Sequence, residues 1–136
     1  MNRKTALVIG AAVLCCVALL LAGKALNLGS APLSSADEPL YLLVTVDGQA
    51  REPILLEEER EYVVTQEGAQ NIVHMTKDSV WMESATCKNQ DCVKQGVVTR
   101  ENRAVRLLGD QIICLPNKVV LRLCTRAELD GMLTLD

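Results

Sequence analysis

Nineteen uncharged residues from Thr5 to Gly23, bounded by Arg3-Lys4 before and Lys24 after, limit what the rest of this chain can fold into. As a helix rising about 1.5 Å per residue, a run of that length spans roughly 28 Å, close to the hydrocarbon thickness of a bilayer. Arg3 and Lys4 stand on the short leading side. Positive charge there predicts a cytoplasmic stub at residues 1–4, a transmembrane anchor at residues 5–23, and an extracytoplasmic location for everything after Lys24. The expected localisation is therefore the cell membrane, single-pass. A cleaved secretory signal is the competing reading, since small residues at Ala22, Gly23, Ala25 and Ala31 permit cleavage. The run is longer than a usual signal core, which favours retention. Leu21-Ala22-Gly23 reads like the start of a lipoprotein box, but Lys24 stands where the lipidated cysteine belongs. Cys15 and Cys16 lie inside the run and read as small apolar fillers of a membrane helix.

Residues 24–39 are rich in small residues and proline, the composition of a linker. The remaining 97 residues, Leu40 to Asp136, suffice for one small domain. The chain has no Phe, so aliphatic side chains must build its core, with Trp81 as the one large aromatic. Three of the 14 basic residues lie at or before Lys24, leaving 11 against 17 acidic residues and a net charge of −6 beyond it. Such a domain is a poor polyanion binder, so no nucleic-acid partner is expected. Glu57, Glu58, Glu59 and Glu61 form the densest acidic cluster and read as a solvated turn.

Short β-branched runs between turn signals dominate the domain. Strands are expected at Leu40–Val46, Pro53–Leu56, Tyr62–Thr65, Asn71–Met75, Ser79–Met82, Val97–Thr99, Gln111–Cys114 and Lys118–Leu123. Asp47-Gly48, Glu67-Gly68, Thr76-Lys77-Asp78 and Pro116-Asn117 supply turns. The pattern predicts a mainly β fold, a small β-sandwich or barrel over residues 40–136. Thr125-Arg126-Ala127-Glu128 matches a capping box, and Leu129, Met132 and Leu133 fall on one helical face, so a short C-terminal helix is expected.

Cys87, Cys92, Cys114 and Cys124 lie beyond the anchor, in what would be an oxidising compartment. At least one disulfide is expected among them. Cys87 and Cys92 follow a strand and can close a small loop, stabilising the fold by about 2 kcal/mol. Four cysteines allow three connectivities, and the sequence does not choose. A thiol-redox or metal site using Cys87, Cys92 and Cys114 is the alternative. The nine residues between Cys114 and Cys124 do not fit a zinc pair, Gln95 interrupts a plant-type iron–sulfur pattern, and Cys87 and Cys92 are too far apart for a thioredoxin-like motif. His74, the only histidine, lies between Val73 and Met75 and reads as a structural or surface strand residue. No Ser-His-Asp set and no glycine-rich phosphate loop is present. No catalytic residue, metal ligand set or cofactor is therefore assigned, and the chain is not expected to be an enzyme.

These residues resemble the NusG domain II family in its stand-alone, membrane-anchored form. The match runs through Leu43-Val44-Thr45-Val46-Asp47-Gly48, then Cys87 to Gly96 with its ending Cys92-Val93-Lys94-Gln95-Gly96, and closes in Ile113-Cys114-Leu115-Pro116-Asn117-Lys118-Val119-Val120. Gly96, Leu115, Pro116 and Asn117 are the motif residues beside the cysteines. The resemblance implies a small β domain held outside a single membrane helix. Lys88 stands where the family often has proline, and Val97 where an aromatic is common. The Val98–Asp110 segment looks longer than usual, and Cys124 lies outside the three-cysteine pattern, where it is a partner for Cys114 or a simple buried thiol. The family name comes from an inserted domain of a transcription factor, a role unsuited to an acidic extracytoplasmic domain. Stand-alone members occur beside membrane redox and flavin-transfer components. The expected function is thus a membrane-anchored accessory domain binding a protein partner in or outside the membrane, associated with a redox or flavin-linked electron-transfer system.

Overall fold

A computed structural model describes residues 13–15 and 37–134. The expected stub at 1–4, the anchor over 5–23 and the linker over 24–39 lie outside the described residues, apart from the helical Val13–Cys15 and residues 37–39. Among the described residues no helix is long and apolar enough to cross a membrane. The chain divides between Asp37 and Glu38, and the second unit carries the β fold.

Among the described residues nine strands form two antiparallel sheets. The first sheet contains β1 (Leu40–Val46), β2 (Gln49–Ala50), β3 (Ile54–Leu55), β8 (Gln111–Cys114) and β9 (Val119–Thr125). Its order is β2-β1-β9-β8, with β3 pairing the other half of β1. The second sheet runs β4 (Arg60–Gln66), β5 (Ala69–Met75), β6 (Ser79–Ala85), β7 (Val98–Thr99). Among the described residues of this unit two helices accompany the sheets, a single turn α1 (Asp91–Lys94) and the C-terminal α2 (Arg126–Leu133). The two-sheet β architecture and the terminal helix agree with the sequence reading. The single turn α1 was not foreseen, because four residues are too few to show helical periodicity. Pro53–Leu56 shortens to Ile54–Leu55.

Alternation explains how the sheets meet. Leu40, Leu42 and Val44 of β1 and Val119, Leu121 and Leu123 of β9 point inward, in register as Leu42 against Leu123 and Val44 against Leu121. They share one core with Val64, Val73, Met75, Val80 and Met82 of the second sheet. Residues of opposite parity face the other way. Leu43 and Cys124 form a second small cluster with Leu129 of α2. The capping box starts that helix as predicted: Thr125 Oγ1 accepts from the Glu128 N–H and Glu128 accepts from the Thr125 N–H. At the β1–β2 turn both Asp47 (φ 50°) and Gly48 (φ 80°) are left-handed, the geometry that matches strand twist in a two-residue hairpin.

Candidate functional site

Three cysteines converge from a loop, a helix and a strand. Cys87 follows β6, Cys92 sits in α1 and Cys114 ends β8. Their sulfur atoms all lie within 4.8 Å of one another, and Cys87 Sγ stands 3.6 Å from Cys92 Sγ. All three are buried at 5% exposure or less. They are free thiols, so the expected Cys87–Cys92 bridge is not formed in this structure.

The chain is bent into this arrangement by amide side chains. Gln90 adopts a left-handed backbone (φ 55°) just before α1. Its Nε2 donates to the carbonyls of Ala85, at 2.7 Å, and Cys87, and lies 3.8 Å from Cys87 Sγ. The segment from β6 thus folds around one amide, returning Cys92 beside Cys87. Gln95, just past α1, grips β8: its Nε2 donates to Ile113 O at 2.7 Å and its Oε1 accepts from Ile113 N at 2.8 Å. Because β8 is an edge strand, its outer backbone groups are free to take these bonds. The neighbour of Ile113 is Cys114, so this clamp sets Cys92 against it. Arg106 reinforces the clamp by donating to the carbonyls of Gln95, Gly109 and Gln111 at 2.8–3.0 Å. Gly96 then leaves the helix with φ 73°, a conformation that favours glycine.

A second layer of amides lies under Cys114. Asn71, fully buried on β5, donates through its side chain to Cys114 and to Met82 Sδ. Asn117 donates from Nδ2 to Asn71 Oδ1 at 2.8 Å, while its backbone N–H reaches Cys114. Among the described residues no buried side-chain polar atom lacks a partner. Burial opposes charge on Cys114, but the hydrogen bonds from Asn71, Asn117 and the other two thiols outweigh it and hold this thiol below its ordinary value. Burial, then the hydrogen bonds and charges of Cys114 and Cys87, pushes Cys92 up to about 12. Of these two thiols, Cys114 is therefore the first to carry negative charge. A cavity of about 280 Å³ opens onto Cys92 and Cys114, with Leu108, Ile113, Leu115 and Pro116 among its walls.

Cys124 takes no part. Cys114 pairs with Val119, and Cys124 lies five residues farther along β9, roughly 17 Å away at strand spacing, on the opposite face. A Cys114–Cys124 bridge is thereby excluded. Cys124 is a simple buried thiol within reach of Tyr41 O at 3.6 Å, pushed up to about 11 by burial and the charges of Glu128 and Asp110. His74 is equally remote in role. On the outer face of β5 it stacks on Trp81 with ring centres 4.3 Å apart and holds Glu59 at 2.9 Å. Sequence reasoning missed Asn71, Gln90, Gln95 and Arg106. Asn71 alone left a signal, a polar residue on the inward parity of Val73 and Met75.

The family model described as NusG domain II matches residues 8–126. The chain belongs to the NusG domain II family. None of the curated proteins compared with it matches. The crystal structure of the Lin0431 protein from Listeria innocua is 18% identical, with a TM-score of 0.54 over 65% of this chain and 99% of that one. A DUF1312 family protein from Enterococcus faecalis is 16% identical, with a TM-score of 0.54 over 64% and 98%. Both likenesses are of fold. A DUF1312 family protein from Ruminococcus gnavus is 30% identical over 62% and 96%, with a TM-score of 0.47.

The NusG domain II motif now has a physical meaning in this chain. In Cys114-Leu115-Pro116-Asn117-Lys118-Val119, Cys114 joins the thiols and Asn117 supports it from below. Leu115, 80% exposed, forms the cavity lip with Pro116. Lys118 (φ 52°) closes the turn by donating its N–H to Leu115 O, and Val119 enters the core. Lys88 and Val97, the departures from the NusG domain II pattern, are both exposed, and the long segment before β8 is a series of turns that carries Arg106.

Proposed function

We propose that this NusG domain II protein is a membrane-tethered accessory domain whose working part is a thiophilic metal centre at Cys87, Cys92 and Cys114. One observation carries the reading: three buried sulfur atoms, from a loop, a helix and a strand, lie within 4.8 Å of one another. An ion with metal–sulfur bonds of about 2.3 Å, tetrahedral or trigonal, needs sulfur pairs roughly 3.8–4.0 Å apart, and the Cys87–Cys92 distance of 3.6 Å is close to that. A disulfide would use two of these thiols and leave the third unexplained. Thiolates select soft ions over Mg²⁺ or Ca²⁺. The surrounding amides orient the donors as metal sites require. The tether rests on the uncharged run between Arg3-Lys4 and Lys24, and the partnership with a membrane redox or flavin-linked protein rests on the family resemblance.

The test is elemental analysis and native mass spectrometry of the full chain purified in mild detergent, with thiol alkylation before and after reduction. One metal ion per chain, lost when all three cysteines are replaced by serine, is the expected result. Metal-free protein with Cys87 and Cys92 fully disulfide-bonded would sink the proposal in favour of thiol-redox or structural chemistry. Protease added from the outer side should remove the β domain while leaving an N-terminal tag protected.

A further inference from the structure

We infer that the centre is built for Cu(I), held by three sulfurs without a fourth ligand; this rests on the metal-centre reading above. The donor set stops at three among the described residues. Cys124 belongs to the cluster under α2, and His74 faces outward from β5 against Glu59 and Trp81. Asp91 lines the adjoining cavity, but its carboxylate is exposed and engaged by Asn89 Nδ2 at 2.9 Å and Lys94 Nζ at 3.6 Å.

Zinc bound by three protein ligands completes its tetrahedron with water or substrate. A water on the cavity side would need polar partners to be held there. The cavity offers few. Both ends of the Gln95 amide are committed to Ile113, Asn89 Nδ2 to Asp91 and the Asp91 carboxylate to Asn89 and Lys94, while Leu108, Ile113, Leu115 and Pro116 are apolar. Cu(I), a soft closed-shell ion, is complete with three thiolates and needs no water. The negative charge of three thiolates around a monovalent ion is spread by donors already aimed at the sulfurs: Asn71 and the Asn117 N–H at Cys114, and Gln90 at Cys87. The apolar side of the cavity, at Leu108, Ile113, Leu115 and Pro116, offers water no hydrogen-bonding side chain beside the same ion.

The experiment is a competition on the reduced full chain in detergent, with Cu(I) and Zn(II) supplied together, read by native mass and by X-ray absorption at the bound metal. Retention of one Cu(I) with three sulfur neighbours, undisplaced by excess Zn(II), is expected. Displacement by Zn(II), or a fourth oxygen or nitrogen neighbour on bound copper, overturns the assignment while leaving the metal centre itself standing. No metal of either kind on fully reduced thiols overturns both readings. Cys114→Ser should lose the copper and Cys124→Ser should keep it. Should Cys114→Ser fail to fold, Leu115→Ser provides the second arm, since Leu115 is 80% exposed and lies outside the core. A hydroxyl on the cavity wall gives water a partner, so this variant should lose preference for Cu(I) over Zn(II). An unchanged preference counts against the inference.

Discussion

Replacing Asn71 by alanine should both weaken the fold and change the chemistry of Cys114. Asn71 is fully buried, and its Oδ1 accepts the 2.8 Å hydrogen bond from Asn117 Nδ2. Without it, Asn117 Nδ2 keeps only the longer contacts to Thr86 Oγ1 at 3.4 Å and Gln70 O at 3.5 Å. A buried donor left this poorly satisfied costs about 1–3 kcal/mol, and the vacated volume adds to it. A total near 3 kcal/mol would lower the melting temperature of a domain this size by roughly 10–20 °C. Replacing Asn117 by alanine as well removes the stranded donor, so the double variant should lose less than the two singles combined, with a coupling of about 1–2 kcal/mol. Urea denaturation followed by Trp81 fluorescence measures each corner of the cycle, because Trp81 is the single tryptophan and precedes the core residue Met82 on β6. The same variant removes a donor to Cys114, so alkylation of that thiol should move to higher pH. Additive losses, or an unchanged alkylation profile, would refute the account of Asn71 as the support beneath the cluster.

Three further outcomes follow from other parts of the fold. Gln95→Ala removes both bonds to Ile113 and should cost about 1–3 kcal/mol in urea unfolding while making Cys92 react faster with iodoacetamide. Gly96→Ala places a side chain at φ 73° and should destabilise by about 1 kcal/mol or more, although nothing stands within 4 Å of the added methyl; a neutral effect would show the backbone relaxing there. Burial opposes charge on Glu128, yet the Arg103 hydrogen bond, the capping contacts to Thr125 and the Arg103 charge together hold its folded pKa below 4.5. A depressed carboxyl contributes stability that is present above its unfolded value and lost as pH falls through the folded one. Glu128→Gln should therefore lower the melting temperature at neutral pH and flatten its decline below pH 4.5.

The strands could be read because alternation and turn chemistry are local. Leu40–Val46, ending at Asp47-Gly48, carries its own parity and its own hairpin turn, and the capping box at Thr125 likewise needs only four neighbouring residues. Gln90 and Gln95 could not be read this way. Each is an ordinary polar residue in a segment without period, and its role exists only through carbonyls that other elements supply. Asn71 stood on an inward position, but the reason for tolerating a buried amide lies 46 residues away at Asn117.

By itself the sequence determined a mainly β domain of aliphatic core, its terminal helix and its acidic charge, since these depend on side-chain parity, spacing and counting. Family resemblance set Cys87, Cys92 and Cys114 apart from Cys124. Only the tertiary structure decided that those three sulfurs meet and that Cys124 does not join them. Strand parity put Cys124 on the face of β9 beneath α2, and the Gln95 clamp carried α1 to the edge of β8. Both events join elements far apart in the chain, where no local pattern records which surfaces will touch.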